Sequence, residues 1–136
     1  GCLRVWRNTS SFFRPRVVVV EYNAGIPVEK RWVVNPADPA RWTQTNYYGA
    51  SARALADLGK RKGYTLVAAD AAGVNLFFVR TDLLAAQGLS GPDLLDVHVG
   101  RVHHARNLDK EREWLELDEQ GEVVGRLYND LGSAYR

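Results

Sequence analysis

The strongest pattern along the chain is the stretch Arg14-Pro15-Arg16 followed by four valines, Val17 to Val20, and the polar trio Glu21, Tyr22, Asn23. Pro15 ends whatever precedes it, and a β-branched run after it predicts a strand. Because the valines do not alternate with polar residues, both faces of that strand are expected to be covered, as at the centre of an α/β sheet. Residues Gly1 to Phe13 mix Trp6, Phe12 and Phe13 with Asn8, Thr9, Ser10 and Ser11, and their lack of a clean period predicts only a short helix or a loop.

From Ala24 to Asn46 the chain carries Gly25, Pro27, Pro36 and Pro39 around one extended segment, KRWVV, and reads as a long excursion that leaves Trp32 and Trp42 looking exposed. Excursions of that length in compact domains are usually functional or disordered. Between Ser51 and Lys62, Ala54, Leu55 and Leu58 recur at helical spacing, Ser51 can cap the start, and KRKG closes the helix with basic residues and a glycine. Two apolar runs follow, Thr65 to Ala69 and Asn75 to Arg80, and the short Asp70 to Gly73 link between them predicts an antiparallel pair.

TDLLAAQG then predicts a short helix capped by Thr81, and the stretch from Ser90 to Glu111 is irregular. Near the end Trp114, Leu115 and Leu117 stand among acids, a turn falls at Gln120 and Gly121, and Val123 and Val124 resume the pattern. A terminal β-hairpin is expected within 105–128. No repeat or domain boundary interrupts residues 1–136, so one domain is expected.

Composition narrows the classes. With 136 residues, 46% hydrophobic and 25% charged, the chain can fill one core and not two. Its apolar runs are far shorter than the roughly 18 to 20 residues of a membrane span, and no export signal opens it, so no membrane partner and a cytoplasmic address are expected. The single cysteine, Cys2, excludes an internal disulfide and a cysteine-built zinc site. A net charge of +2 does not call for a nucleic-acid partner, and Lys60 to Lys62 read as a solvated helix end. No methionine occurs and Gly1 comes first, which reads as a sequence that starts inside a longer one.

RPRVVVVEYNA, NYYGASARALADLGKRKGY and GVNLFFVRTDLL, taken together, resemble the last third of bacterial FkbM-like, S-adenosylmethionine-dependent methyltransferases, over roughly residues 14–84. The resemblance implies an α/β fold: the carboxy-terminal half of a Rossmann-like sheet, built of strand, helix and antiparallel strand pair, to which this chain adds a β-hairpin. It also implies a small-molecule or sugar substrate. Enzymes of this kind hold the cofactor on a glycine-rich turn after the first strand and on an acid that ends the second. Neither is present in the sequence. LGKRKG fails as a phosphate loop, because Ala54 stands where its first glycine belongs and Arg61 where Ser or Thr is required. The cofactor-binding half is therefore read as absent, with S-adenosylmethionine implied only for the intact enzyme and no cofactor bound by this chain alone.

Candidate substrate-binding residues follow from place and type. Glu21, Tyr22 and Asn23 end the best strand, where open α/β sheets put ligands; the plainer alternative is that Glu21 and Asn23 bond a loop and shape a turn. Tyr47, Tyr48 and Gly49 precede the long helix, whose free N–H groups could take an anion and whose tyrosines could orient a polar substrate, or else they staple and cap it. Asn75 is read mostly as a turn residue that could also touch ligand. His98, His103 and His104 with Asp93, Asp96 and Asp109 hold metal-ligand types, but no i, i+4 histidine pair, so no metal site is expected.

Three functions compete on these grounds. The first is a partial methyltransferase-like domain, inactive alone. The second is a stand-alone oligomerising or small-molecule-binding α/β module. The third, ranked last, is a metal-dependent nuclease using Glu21 and Asp70 on magnesium, which lacks the lysine two residues after the acid because position 23 is asparagine. Without its other half, a strand made for the centre of a sheet becomes an edge. Homo-oligomerisation through Val17 to Val20, or pairing with the missing half, is therefore expected.

Overall fold

The computed structural model describes residues 2–38, 47–92, 94–97 and 112–128. Helix α1 (Cys2–Asn8) leads to strand β1 (Val17–Glu21), and β2 (Trp32–Val34) precedes helix α2 (Ala52–Arg61). Strands β3 (Tyr64–Ala69) and β4 (Asn75–Arg80) run into helix α3 (Thr81–Ala86). Helix α4 (Leu94–Val97) and strands β5 (Glu113–Leu117) and β6 (Val123–Tyr128) complete the described chain. The architecture is mixed α/β, with two small antiparallel sheets ordered β1-β4-β3 and β2-β5-β6.

The expected helix over Ser51 to Lys62 forms as α2. Ser51 Oγ accepts the Ala54 N–H at 3.2 Å, the Lys60 and Arg61 side chains lie in the last turn, and Gly63 follows with φ 84°. Leu55 and Leu58 turn inward against Val18, Val20, Leu66, Leu76 and Phe78. The pair β3/β4 is antiparallel as expected, and a register shift between Leu66 and Ala68 marks a bulge. Trp6 on α1 closes the same core, edge-on to Phe78 at 4.8 Å and to Tyr64 at 5.7 Å. That anchor settles the segment with no period as a helix.

The terminal hairpin forms as β5/β6, but it does not stand apart. β2 pairs with β5, Val33 opposite Leu115 and Val34 opposite Trp114, so the excursion supplies the third strand of the second sheet. Trp32 is consequently half-buried, its ring stacked 6.4 Å from Trp114 and its indole N–H donated to Glu116 at 3.2 Å. Trp42 lies outside the described residues.

Three other expectations are corrected. β1 lies at an edge of the described sheet, as expected for a strand without its other half, but its two faces are not both covered: Val17 and Val19 are 52% and 51% exposed, whereas Val20 is buried. Thr81 does not cap α3; Arg80 occupies the cap position without a side-chain cap bond, and the Thr81 hydroxyl meets that of Thr65 at 2.8 Å. Within the stretch expected to be irregular, Leu94–Val97 form a helical turn and Val97 is buried in the core.

Candidate functional site

The segment from Tyr48 to Ser51 joins the two sheets. Val34 N–H donates to the Gly49 carbonyl at 3.1 Å, Ser51 N–H to the Trp32 carbonyl at 2.8 Å, and Val33 bridges to Ala50. On the other side, Asn23 N–H donates to the Ala50 carbonyl at 2.9 Å and the Asn23 side-chain amide to the Tyr48 carbonyl at 3.1 Å. Ser51 Oγ also accepts the Trp32 N–H at 3.1 Å, and the side chain is fully buried. Gly49 sits at φ 67°, in the left-handed region that glycine enters without cost.

This arrangement separates the seven candidate residues into two groups. Tyr22, Asn23 and Tyr47 are buried, at 2%, 2% and 1% exposure. Asn23 Oδ1 accepts the Gly25 N–H at 2.9 Å and so closes the turn after β1. The Tyr47 hydroxyl accepts from Asn35 N–H at 2.8 Å and donates to the Glu113 carbonyl at 2.6 Å, with the Arg112 guanidinium 4.1 Å above its ring. These buried side chains are engaged by the protein itself: Tyr22 packs in the main core and Tyr47 in a second cluster with Ile26 and Trp114.

Glu21, Asn75, Tyr48 and Gly49 each reach solvent. Glu21 and Asn75 are register partners at the end of the β1/β4 pair, Glu21 exposed and Asn75 half-buried. Burial raises the half-buried Tyr48 hydroxyl above the ordinary tyrosine range, and the negative charge of Glu21 raises it further. Asn75 in turn is held by Asp70, whose carboxylate accepts from Val74 N–H at 2.8 Å, Asn75 N–H at 3.1 Å and the Asn75 side chain at 2.9 Å. Those bonds, the Val74 one first, hold the Asp70 carboxyl below the usual carboxylate pKa range, and they occupy the carboxylate that the nuclease reading needs for magnesium.

Among the described residues no group of three or more histidine, cysteine, aspartate or glutamate side chains converges as a metal site. Asp93, His98, His103, His104 and Asp109 lie outside those residues, as does most of the stretch around them. No described helix is long and apolar enough to cross a membrane. Comparison of the chain with protein families, with curated proteins and with solved structures finds no match.

The edge of the first sheet is the other notable surface. Arg80 N–H donates to the Arg16 carbonyl and Tyr22 N–H to the Val74 carbonyl, which fixes the even-numbered residues of β1 as those bonded to β4. The backbone N–H and C=O groups of Val17, Val19 and Glu21 therefore point outward along the free edge. Their side chains stand on the open face beside Phe77 and Val79, forming an apolar stripe that ends at Glu21 and Asn75.

Proposed function

We propose that the chain is one part of a methyltransferase-like α/β domain of the FkbM type, contributing the substrate side and inactive alone. The observation that carries this reading is the free edge of β1. Val17 and Val19, with outward backbone groups and side chains on a half-exposed apolar stripe, are what a strand looks like when its sheet is meant to continue past it. Completion comes from a further strand laid along Val17 to Glu21, and in the isolated chain a second copy takes that place.

In this reading Glu21, Tyr48, Gly49 and Asn75 face a small-molecule or sugar substrate, at the end of a β-strand where sheet ligands collect. Tyr22, Asn23 and Tyr47 are buried. Glu21 carries an acceptor-only carboxylate, Tyr48 a hydroxyl kept protonated by its surroundings, and Asn75 an amide; such groups orient hydroxyl-bearing molecules.

The described residues do not fit a methyl donor. Both sheets are antiparallel, and no described strand passes through a glycine-rich turn into a helix. No methyl-transfer step is therefore assigned to these residues. Titration calorimetry with S-adenosylmethionine tests the reading: no saturable heat is expected from this chain, and micromolar binding contradicts the proposal.

A further inference from the structure

A cleft of about 640 Å³ opens between α1 and the second sheet, away from the edge of β1. Its volume falls inside the range of about 300 to 1,000 Å³ that small-molecule sites occupy. The floor is apolar: Val33 and Leu115, register partners and both buried, and Leu117 beside them. Gly49 forms part of the wall, and a Cβ built there meets nothing within 4 Å, so this stretch of wall stands open.

The opposite wall is charged. Arg4 and Arg7, three residues apart on α1, both line the cleft and are exposed, and neither has an ion pair or hydrogen bond among the described residues. The acid on the wall, Asp38, is held by Arg112 at 2.8 Å. With Asp38 neutralised, the two arginines set the sign of the cleft.

An apolar floor below two unpaired guanidinium groups fits a ligand that is apolar at one end and anionic at the other. We propose that this cleft binds a small amphipathic anion, its apolar group on Val33, Leu115 and Leu117 and its carboxylate or phosphate between Arg4 and Arg7. The site is argued independently of the methyltransferase reading and shares only Gly49 with the residues assigned there.

The test is an NMR titration of the isotope-labelled chain with 4-phenylbutyrate and, separately, with the neutral 4-phenylbutanol. The acid is expected to bind with a Kd of about a millimolar or tighter, the affinity that ordinary ligand efficiency gives for about twelve heavy atoms. The amides that move are expected to be those of Gly49, Leu115, Leu117 and Val123. The alcohol, and the acid with the Arg4→Gln/Arg7→Gln variant, are each expected to bind about tenfold more weakly through the lost charge-assisted bonds. Both arginines are exposed, so the variant keeps the core intact. Absence of saturation by about 10 mM acid, equal binding of the alcohol, unchanged affinity in the variant, or shifts confined to other residues overturns the proposal.

Discussion

The Asn23 side-chain amide donates to the Tyr48 carbonyl at 3.1 Å and thereby ties the end of the first sheet to the segment that borders the second. Asn23 is 2% exposed, and its Oδ1 accepts the Gly25 N–H as well. Asn23→Ala leaves the half-buried Gly25 N–H and the half-buried Tyr48 carbonyl short of these partners. A loss of about 1 to 3 kcal/mol is expected from the two lost bonds, measured by urea denaturation. Asn23→Asp restores only the Gly25 bond, because a carboxylate cannot donate to the Tyr48 carbonyl, and it too is expected to destabilise.

Gly59 lies within α2, in its last turn, and alanine in place of glycine inside a helix normally improves it by up to about 1 kcal/mol. Here the opposite sign is expected. A Cβ at Gly59 falls 2.7 Å from Phe78 Cε1 and 3.1 Å from Trp6 Cη2, and Phe78 is fully buried with Trp6 packed on it. Overpacking of this kind costs about 1 to 3 kcal/mol, enough to outweigh the gain in propensity. Gly59→Ala is predicted to lower the thermal midpoint.

Tyr48 and Glu21 give a prediction that titration can read. Burial is the larger cause of the raised Tyr48 value and the Glu21 charge the smaller, so Glu21→Gln is expected to bring the Tyr48 titration part of the way back toward the ordinary range, near about 10. Carbon NMR of the Tyr48 ring follows this directly. Because the folded value is raised, the stabilising contribution is complete below the ordinary tyrosine pKa and fades as pH rises through the folded one. Wild type is therefore expected to lose part of its stability at alkaline pH, and Glu21→Gln to lose it over a narrower interval. A Tyr48 titration that does not move in the variant contradicts the pairing.

The local elements were legible because their causes are local. Ala54, Leu55 and Leu58 declare α2 and Ser51 its cap; Asp70 to Gly73 declare the turn between β3 and β4; Gln120 and Gly121 declare the hairpin. What depends on distant partners was not. KRWVV showed an extended segment but not that Val33 would face Leu115, since nothing in the segment names its partner. Arg4 and Arg7 passed unmarked because α1 has no clean period of its own and is anchored by Trp6 against Phe78. Among the candidate site residues, Tyr47 and Asn23 carry hydrogen-bonding groups suited to a ligand as well as to the protein's own interior, and only burial separates the two uses.

The Val17 to Val20 run conveyed a strand that expects neighbours on both sides, and the described sheet supplies one neighbour, β4. The central claim is that the sheet continues past this edge. Light scattering of the chain at roughly 50 µM measures it, since mass action raises any association with concentration. The predicted mass is twice that of one chain, through antiparallel pairing centred on Val19, and Val19→Lys, which places a charge on that edge, is predicted to return it to one. A monodisperse monomer of the unaltered chain contradicts the account.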